Sequence, residues 1–225
     1  MKASALWPGR QDGPGHRAVF ILLTLVSGAL NAISFMALGG VFVSVMTANL
    51  ALVGIAVGGF DLRLAGNSVV ALVGYVAGVL LGARVWERCE RSRRSGPRTL
   101  LIGELVLLCA VLTGWLVTDG GPPSPLQIVL LGAAALAMGC QGAMIRGAGP
   151  PGLSTTYMTG LLTALLTDVL AGRRPDWNKA ALLAAIPVGA ALGALVVVTA
   201  RAGALLLPVV LLAAALVLTT RATAR

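Results

Sequence analysis

Charge is scarce in this 225-residue sequence: 11% of the residues are charged and only 8 are acidic, while 57% are hydrophobic. Soluble domains carry roughly a quarter charged residues, so a soluble globular protein is excluded. Histidine occurs once, as His16, near the N-terminus and outside the apolar runs. Cysteine occurs three times, as Cys89, Cys109 and Cys140, an odd number with no CxxC spacing. Free thiols are therefore expected, and neither a disulfide framework nor a His/Cys metal site can be assembled. A site built from carboxylates alone stays open. No Ser-His-Asp or Cys-His set lies in the apolar part, which removes the usual means of nucleophilic catalysis.

What the sequence has in abundance is apolar length. Mean hydropathy is +0.91, and several runs approach the ~18–20 residues that cross a ~30 Å hydrocarbon core. Eight segments stand out: 18–38, 41–60, 68–84, 99–117, 126–145, 153–170, 180–199 and 203–220. The stretch before them, 1–17, is basic and rich in Gly and Pro, and reads as a disordered cytoplasmic tail. The run 18–38 is too long for a signal-peptide core and lacks a cleavage site, so it reads as a retained first helix. The net charge of +9 does not indicate nucleic acid, because the cations sit at the ends of apolar runs, as membrane topology requires.

The chain repeats itself. "SGALNA" (27–32) aligns with "MGCQGA" (138–143), and "GVLLGA" (78–83) with "GAALGA" (189–194), both at an offset of 111. Between them, Gly40, Met46, Thr47 and Leu50 align with Gly152, Met158, Thr159 and Leu162 at 112. Matches in one order at nearly one offset point to duplication, with repeats over 18–117 and 126–220. Charge then tests the topology. Eight full crossings divide the 17 cations almost evenly between the two sides. If 41–60 and 153–170 enter and leave on one side, 15 cations fall inside and only Arg63 and Arg201 outside. The expected fold is thus an all-α polytopic membrane protein of about six transmembrane helices plus two broken or re-entrant segments, in inverted repeats. Both termini are expected in the cytoplasm of a bacterial cell.

The polar residues inside those two segments fit this topology. "GGVFVSVMTANLALVG" (39–54) and "PGLSTTYMTGLLTALL" (151–166) each place a Met-Thr pair inside an apolar run after Gly-Gly or Pro-Pro. Each is expected to run extended and then start a half-helix near Met46 or Met158. The half-helix N-terminus, with its free N–H groups, would face the centre and favour anions or electronegative groups. Broken helices at corresponding places in inverted repeats are a recurring transporter architecture.

The run "LVSGALNAISFMALGGVFVSVMTANLALVG" (25–54), together with "MGCQGAMIRGAGPPGLSTTYMTGLLTAL" (138–165), resembles the YoaK-like family of small bacterial membrane proteins. The resemblance implies membrane location and about six spans, and carries no established reaction, substrate or catalytic residue. Two positions depart from the family pattern. Thr47-Ala48-Asn49 stands where Thr-Gly-Asn is common, and Gly142 where Asn is frequent, so any ligand contact there differs in this member.

Thr47, Asn49, Ser154, Thr156 and Thr159 are the candidate solute-binding residues, with Thr155 beside them. Thr159, Thr163 and Thr167 form a stripe on one helix face; intrahelical bonding is the alternative role for such hydroxyls. Asn31 and Gln141, each just before a broken segment, are expected to bond its exposed backbone. Glu104 and Asp168 are intramembrane or near-membrane acids and candidates for proton coupling. The Gly74/Gly78/Gly82 and Gly189/Gly193 series are small-xxx-small packing faces. Trp86, Trp115 and Trp177 fall at segment ends, as an interfacial belt would.

The leading reading is a transporter or channel for a small polar or weakly anionic solute, bound at the midplane between the repeats. A non-transporting scaffold or regulatory membrane protein is the alternative; an enzyme is disfavoured for want of a catalytic set. No cofactor and no metal are expected. The expected partners are the lipid bilayer and a small-molecule solute, not nucleic acid, and a homo-oligomer stays open.

Overall fold

The computed structural model describes residues 14–92, 95–148, 158–173 and 176–223. Every regular element among them is helical: α1 Pro14–Ala37, α2 Met46–Gly58, α3 Leu62–Arg91, α4 Gly96–Leu116, α5 Ser124–Ala148, α6 Met158–Leu170, α7 Trp177–Thr199 and α8 Leu206–Thr223. A 3-10 turn, Arg201–Gly203, joins α7 to α8. Six of these helices are long and apolar enough to cross a membrane; α2 and α6, at 13 residues each, are not. At 1.5 Å per residue both are about 20 Å long.

Helix starts follow local chemistry. Asp61 caps α3 by accepting from the Leu64 N–H, and Asp176 caps α7 by accepting from the Asn178 N–H. Pro97 opens α4, where a missing N–H costs nothing. The expected segment 68–84 is the core of a much longer helix. α3 continues through the charged run to Arg91, where Glu87 and Arg91 pair at 3.5 Å one turn apart.

Glycine sets how the long helices meet. Along the α1–α7 seam, a Cβ on Gly28 would run into the Ile186 carbonyl, and one on Gly189 or Gly193 into the carbonyl of Leu25 or Ala29. Along the α3–α5 seam, a Cβ on Gly139 would strike the Tyr75 carbonyl and one on Gly78 the Leu136 carbonyl, while Gly82 lies against Cys140. Backbones touch in both seams, as close packing of spanning helices requires. α8 covers α1, α4 covers α5, and α4 and α8 pack on each other.

The two ends of the bundle differ. At one end the Trp115 indole N–H donates to the Arg201 carbonyl at 2.9 Å, the Arg201 guanidinium donates to the Gly120 carbonyl at 2.8 Å, and the Asn67 amide donates to the Gly39 carbonyl at 3.1 Å. At the other end Trp86 packs on Gly96 and Gly147. The last turn of α3 with Arg88 and Arg91, Arg146 at the end of α5, and the start of α7 gather there. The tryptophans do not form a belt: Trp115 is 0% exposed and Trp86 half-buried, leaving Trp177 as the exposed one. A carbonyl more than eighty residues away satisfies the Trp115 N–H, which removes its need for an interfacial position.

Candidate functional site

The span expected at 41–60 divides in two. Gly39 and Gly40, at φ +115° and +76°, turn the chain back at the end of α1, in backbone conformations that side chains disfavour. Residues 41–45 then return alongside α1 as an irregular limb that bends at Val43 and Ser44, in place of the extended run expected, and α2 starts at Met46. Hydrogen bonds fix how deep this limb goes. The Ser34 hydroxyl donates to the Val41 carbonyl at 2.8 Å, near the end of α1. One turn deeper, Asn31 Oδ1 accepts from the Val43 and Ser44 N–H groups at 3.1 and 3.0 Å, and Asn31 Nδ2 donates to Ser44 Oγ at 2.7 Å. Deeper again, the Ser27 and Ser44 hydroxyls share a 2.7 Å bond. Ser27 lies ten residues before the end of α1, about 15 Å at 1.5 Å per residue and half of a ~30 Å hydrocarbon core.

The other side of the limb is bonded by α2 itself. Asn49 Oδ1 accepts from the Phe42 N–H at 3.0 Å and Asn49 Nδ2 donates back to the Phe42 carbonyl at 2.5 Å. Asn49 is 0% exposed. Three side chains, Asn31, Ser34 and Asn49, thus supply the bonds that an irregular backbone cannot make for itself at membrane depth. Asn49 was expected to reach a solute; its amide is instead committed on both sides to Phe42. Thr47 is exposed on the first turn of α2, next to a helix start that Val45 leaves without a side-chain cap. A cavity of about 450 Å³ adjoins this start, lined by Asn31, Phe35, Phe42 and Val45 on one side and Ile186 and Ala190 on the other. Phe35 and Phe42 stack at its edge, ring centroids 5.1 Å apart.

In the second half, α6 covers Met158–Leu170, with Thr159 exposed. Ser154, Thr155 and Thr156 lie outside the described residues. The Thr163 and Thr167 hydroxyls donate to the carbonyls of Thr159 and Thr163 at 3.0 and 2.8 Å, so these two turn back on their own helix. Asp168 ends the helix in a pair of salt bridges, to Arg173 at 2.9 Å and Lys179 at 3.5 Å. The Arg173 guanidinium holds its carboxyl below the usual Asp range. α2 ends where α3 begins and α6 where α7 begins, at opposite ends of the bundle.

The remaining expected residues separate. Asn31 bonds the broken segment, whereas Gln141 donates through Nε2 to Glu104 Oε1 at 3.0 Å, across the α4–α5 contact. Glu104 is 2% exposed, buried on α4 with its carboxyl against Gln141 of α5. Ser27 and Ser34 are not among the residues expected from the sequence. Their signal was present as a polar line at 27, 31 and 34 on one face of an otherwise apolar helix. All three cysteines are free thiols, two of them buried.

Comparison with known proteins adds a family. Residues 19–218 match the family described as "Protein of unknown function (DUF1275)". The chain is also similar to the "UPF0700 transmembrane protein YoaK" of Bacillus subtilis (strain 168), with 28% identity over 148 residues, 66% of this chain and 64% of that protein. The match thus spans less than two thirds of the relative's length. No solved structure matches.

Proposed function

This membrane protein belongs to the DUF1275 family, whose description gives no activity, and on that footing we propose that it is a transporter or channel for a small polar or weakly anionic solute. One observation carries the reading. The hairpin 41–58 spends Asn31, Ser34 and Asn49 on holding an irregular limb inside the bundle, and so delivers the uncapped start of α2 to mid-depth. Irregular backbone at that depth is tolerated where it is buried or lines a wet path. The positive end of a half-helix there favours an electronegative group. Thr47 stands at that end as a solute contact, Thr159 and the preceding Ser154 and Thr156 are assigned the same role in the second half, and Asn49 and Asn31 position the limb.

Inverted repeats over 18–117 and 126–220 belong to this reading, and packing supports them. Adding 111 to one seam gives the other: Gly28 on Ile186 corresponds to Gly139 on Tyr75, Gly78 on Leu136 to Gly189 on Leu25, and Gly82 on Cys140 to Gly193 on Ala29. Met-Thr stands at the start of α2, and the corresponding Met158-Thr159 lies in the short apolar helix α6. The basic end of the bundle, opposite Arg63 and Arg201, is placed in the cytoplasm of the cell by the positive-inside rule.

Swelling of proteoliposomes in glycerol, urea, formate or acetate tests the proposal. Flux of at least one solute above protein-free vesicles is expected, reduced by Thr47→Ala with Thr159→Ala and abolished by Thr47→Trp. Absence of flux for the whole panel would favour a non-transporting scaffold.

A further inference from the structure

Among the described acidic residues, Glu104 alone is buried. It lies on α4 where α5 packs, and its one hydrogen bond comes from Gln141 Nε2. The ion pairs among the described residues are Glu87–Arg91, Asp168–Arg173 and Asp168–Lys179, so no cation neutralises it. The groups facing it are few. From α5 come Gln141 and, next to it in sequence, Cys140, whose thiol donates to the Gly78 carbonyl at 3.3 Å. α8, which also packs on α4, has no ionisable residue over 206–220. α3 meets the start of α4 through Trp86, with Arg84, Glu87, Arg88, Glu90 and Arg91 exposed around that end and Cys89 buried.

The fold contains its own control for this pair. One repeat on, Glu104 corresponds to Ala215 and Gln141 to Leu30, both buried where α8 covers α1. The flanking positions keep their character, Leu101 and Leu105 corresponding to Leu212 and Leu216. Packing of this helix pair is therefore met by Leu and Ala, and an acid with an amide is surplus to it. A carboxylate left ionised among such neighbours, without a counter-charge, is too costly to persist. A metal ion needs about six oxygen ligands, whereas Gln141 turns its N–H toward the carboxyl. A proton needs only the carboxyl.

We propose that Glu104, held by Gln141, is a proton-binding site in the α4–α5 seam. The proton is taken from water when the seam opens, rests on Oε2 while Oε1 accepts from Gln141, and returns to water on the next opening. Its coupling to solute movement rests on the transport reading; the site itself does not.

Infrared spectroscopy of the full chain in nanodiscs at neutral pH tests this. The expected spectrum has a protonated-carboxyl C=O band that is lost in Glu104→Gln and in the double variant Glu104→Ala with Gln141→Leu, which copies the α1–α8 pair. Both variants should keep wild-type helicity and elution; should the double variant fail to fold, the isosteric Glu104→Gln carries the result. A wild-type spectrum without the band, or a band that survives Glu104→Gln, overturns the proposal. A band without solute flux would retire the transport reading and leave the proton site, and flux without the band would do the reverse.

Discussion

Asn49 and Asn31 do the same job from opposite sides of one irregular limb. Asn49 closes two bonds to the backbone of Phe42, and Asn31 closes two to Val43 and Ser44. Leucine at position 49 would keep the volume and strand a donor and an acceptor, each at ~1–3 kcal/mol. Asn49→Leu is therefore expected to cost ~2–5 kcal/mol, read by SDS titration of helicity in mixed micelles. Ser44→Ala should cost ~1–3 kcal/mol, because the buried Ser27 hydroxyl and the Asn31 amide N–H both lose the partner they share in Ser44 Oγ. An unchanged Asn49→Leu midpoint would mean that the limb does not depend on the amide. The polar line on α1 was legible as a pattern, but its partner was not. Helical spacing places 27, 31 and 34 on one face, and only the turn at Gly39–Gly40 decides that the chain comes back along it.

At the scale of elements, the seams make the sharper prediction. Gly28→Ala and Gly139→Ala each push a methyl into a facing carbonyl, so both are expected to lose ~1–3 kcal/mol, and by similar amounts. Gly103→Ala, on a face of α4 with nothing within 4 Å, should be neutral or gain up to ~1 kcal/mol through helix propensity. Thermal unfolding of the three variants side by side checks this, and a Gly103→Ala loss equal to the others would remove the seams' special status. The small-xxx-small series was plain in the sequence, as was the helix start at Met46, because Gly-Gly and Met-Thr mark a break that composition alone does not require. Which helix each glycine meets was not legible, since spacing fixes a face and leaves the partner open. Trp115 misleads for a related reason: at a segment end an indole resembles an interfacial anchor until Arg201 arrives from α7 to take its proton donor.

For the whole molecule, side-specific labelling decides orientation. With the native cysteines replaced, Arg63→Cys should react from outside intact cells and Asn178→Cys only after lysis. Both positions reacting from one side would contradict inverted repeats. The depth of the hairpin also bears on how the protein is made. A 13-residue helix is too short to be inserted as a span, and its irregular limb would carry bare amides into lipid if it entered alone. Its partners Ser27, Asn31 and Ser34 leave the ribosome before it, on a helix already able to occupy the bilayer, so the hairpin can close while the chain is still growing. Gly28 must wait until Ile186 has been synthesised before its seam can shut. Until then the face of α1 opposite the hairpin stands open, and a chaperone or a lipid has to cover it during synthesis.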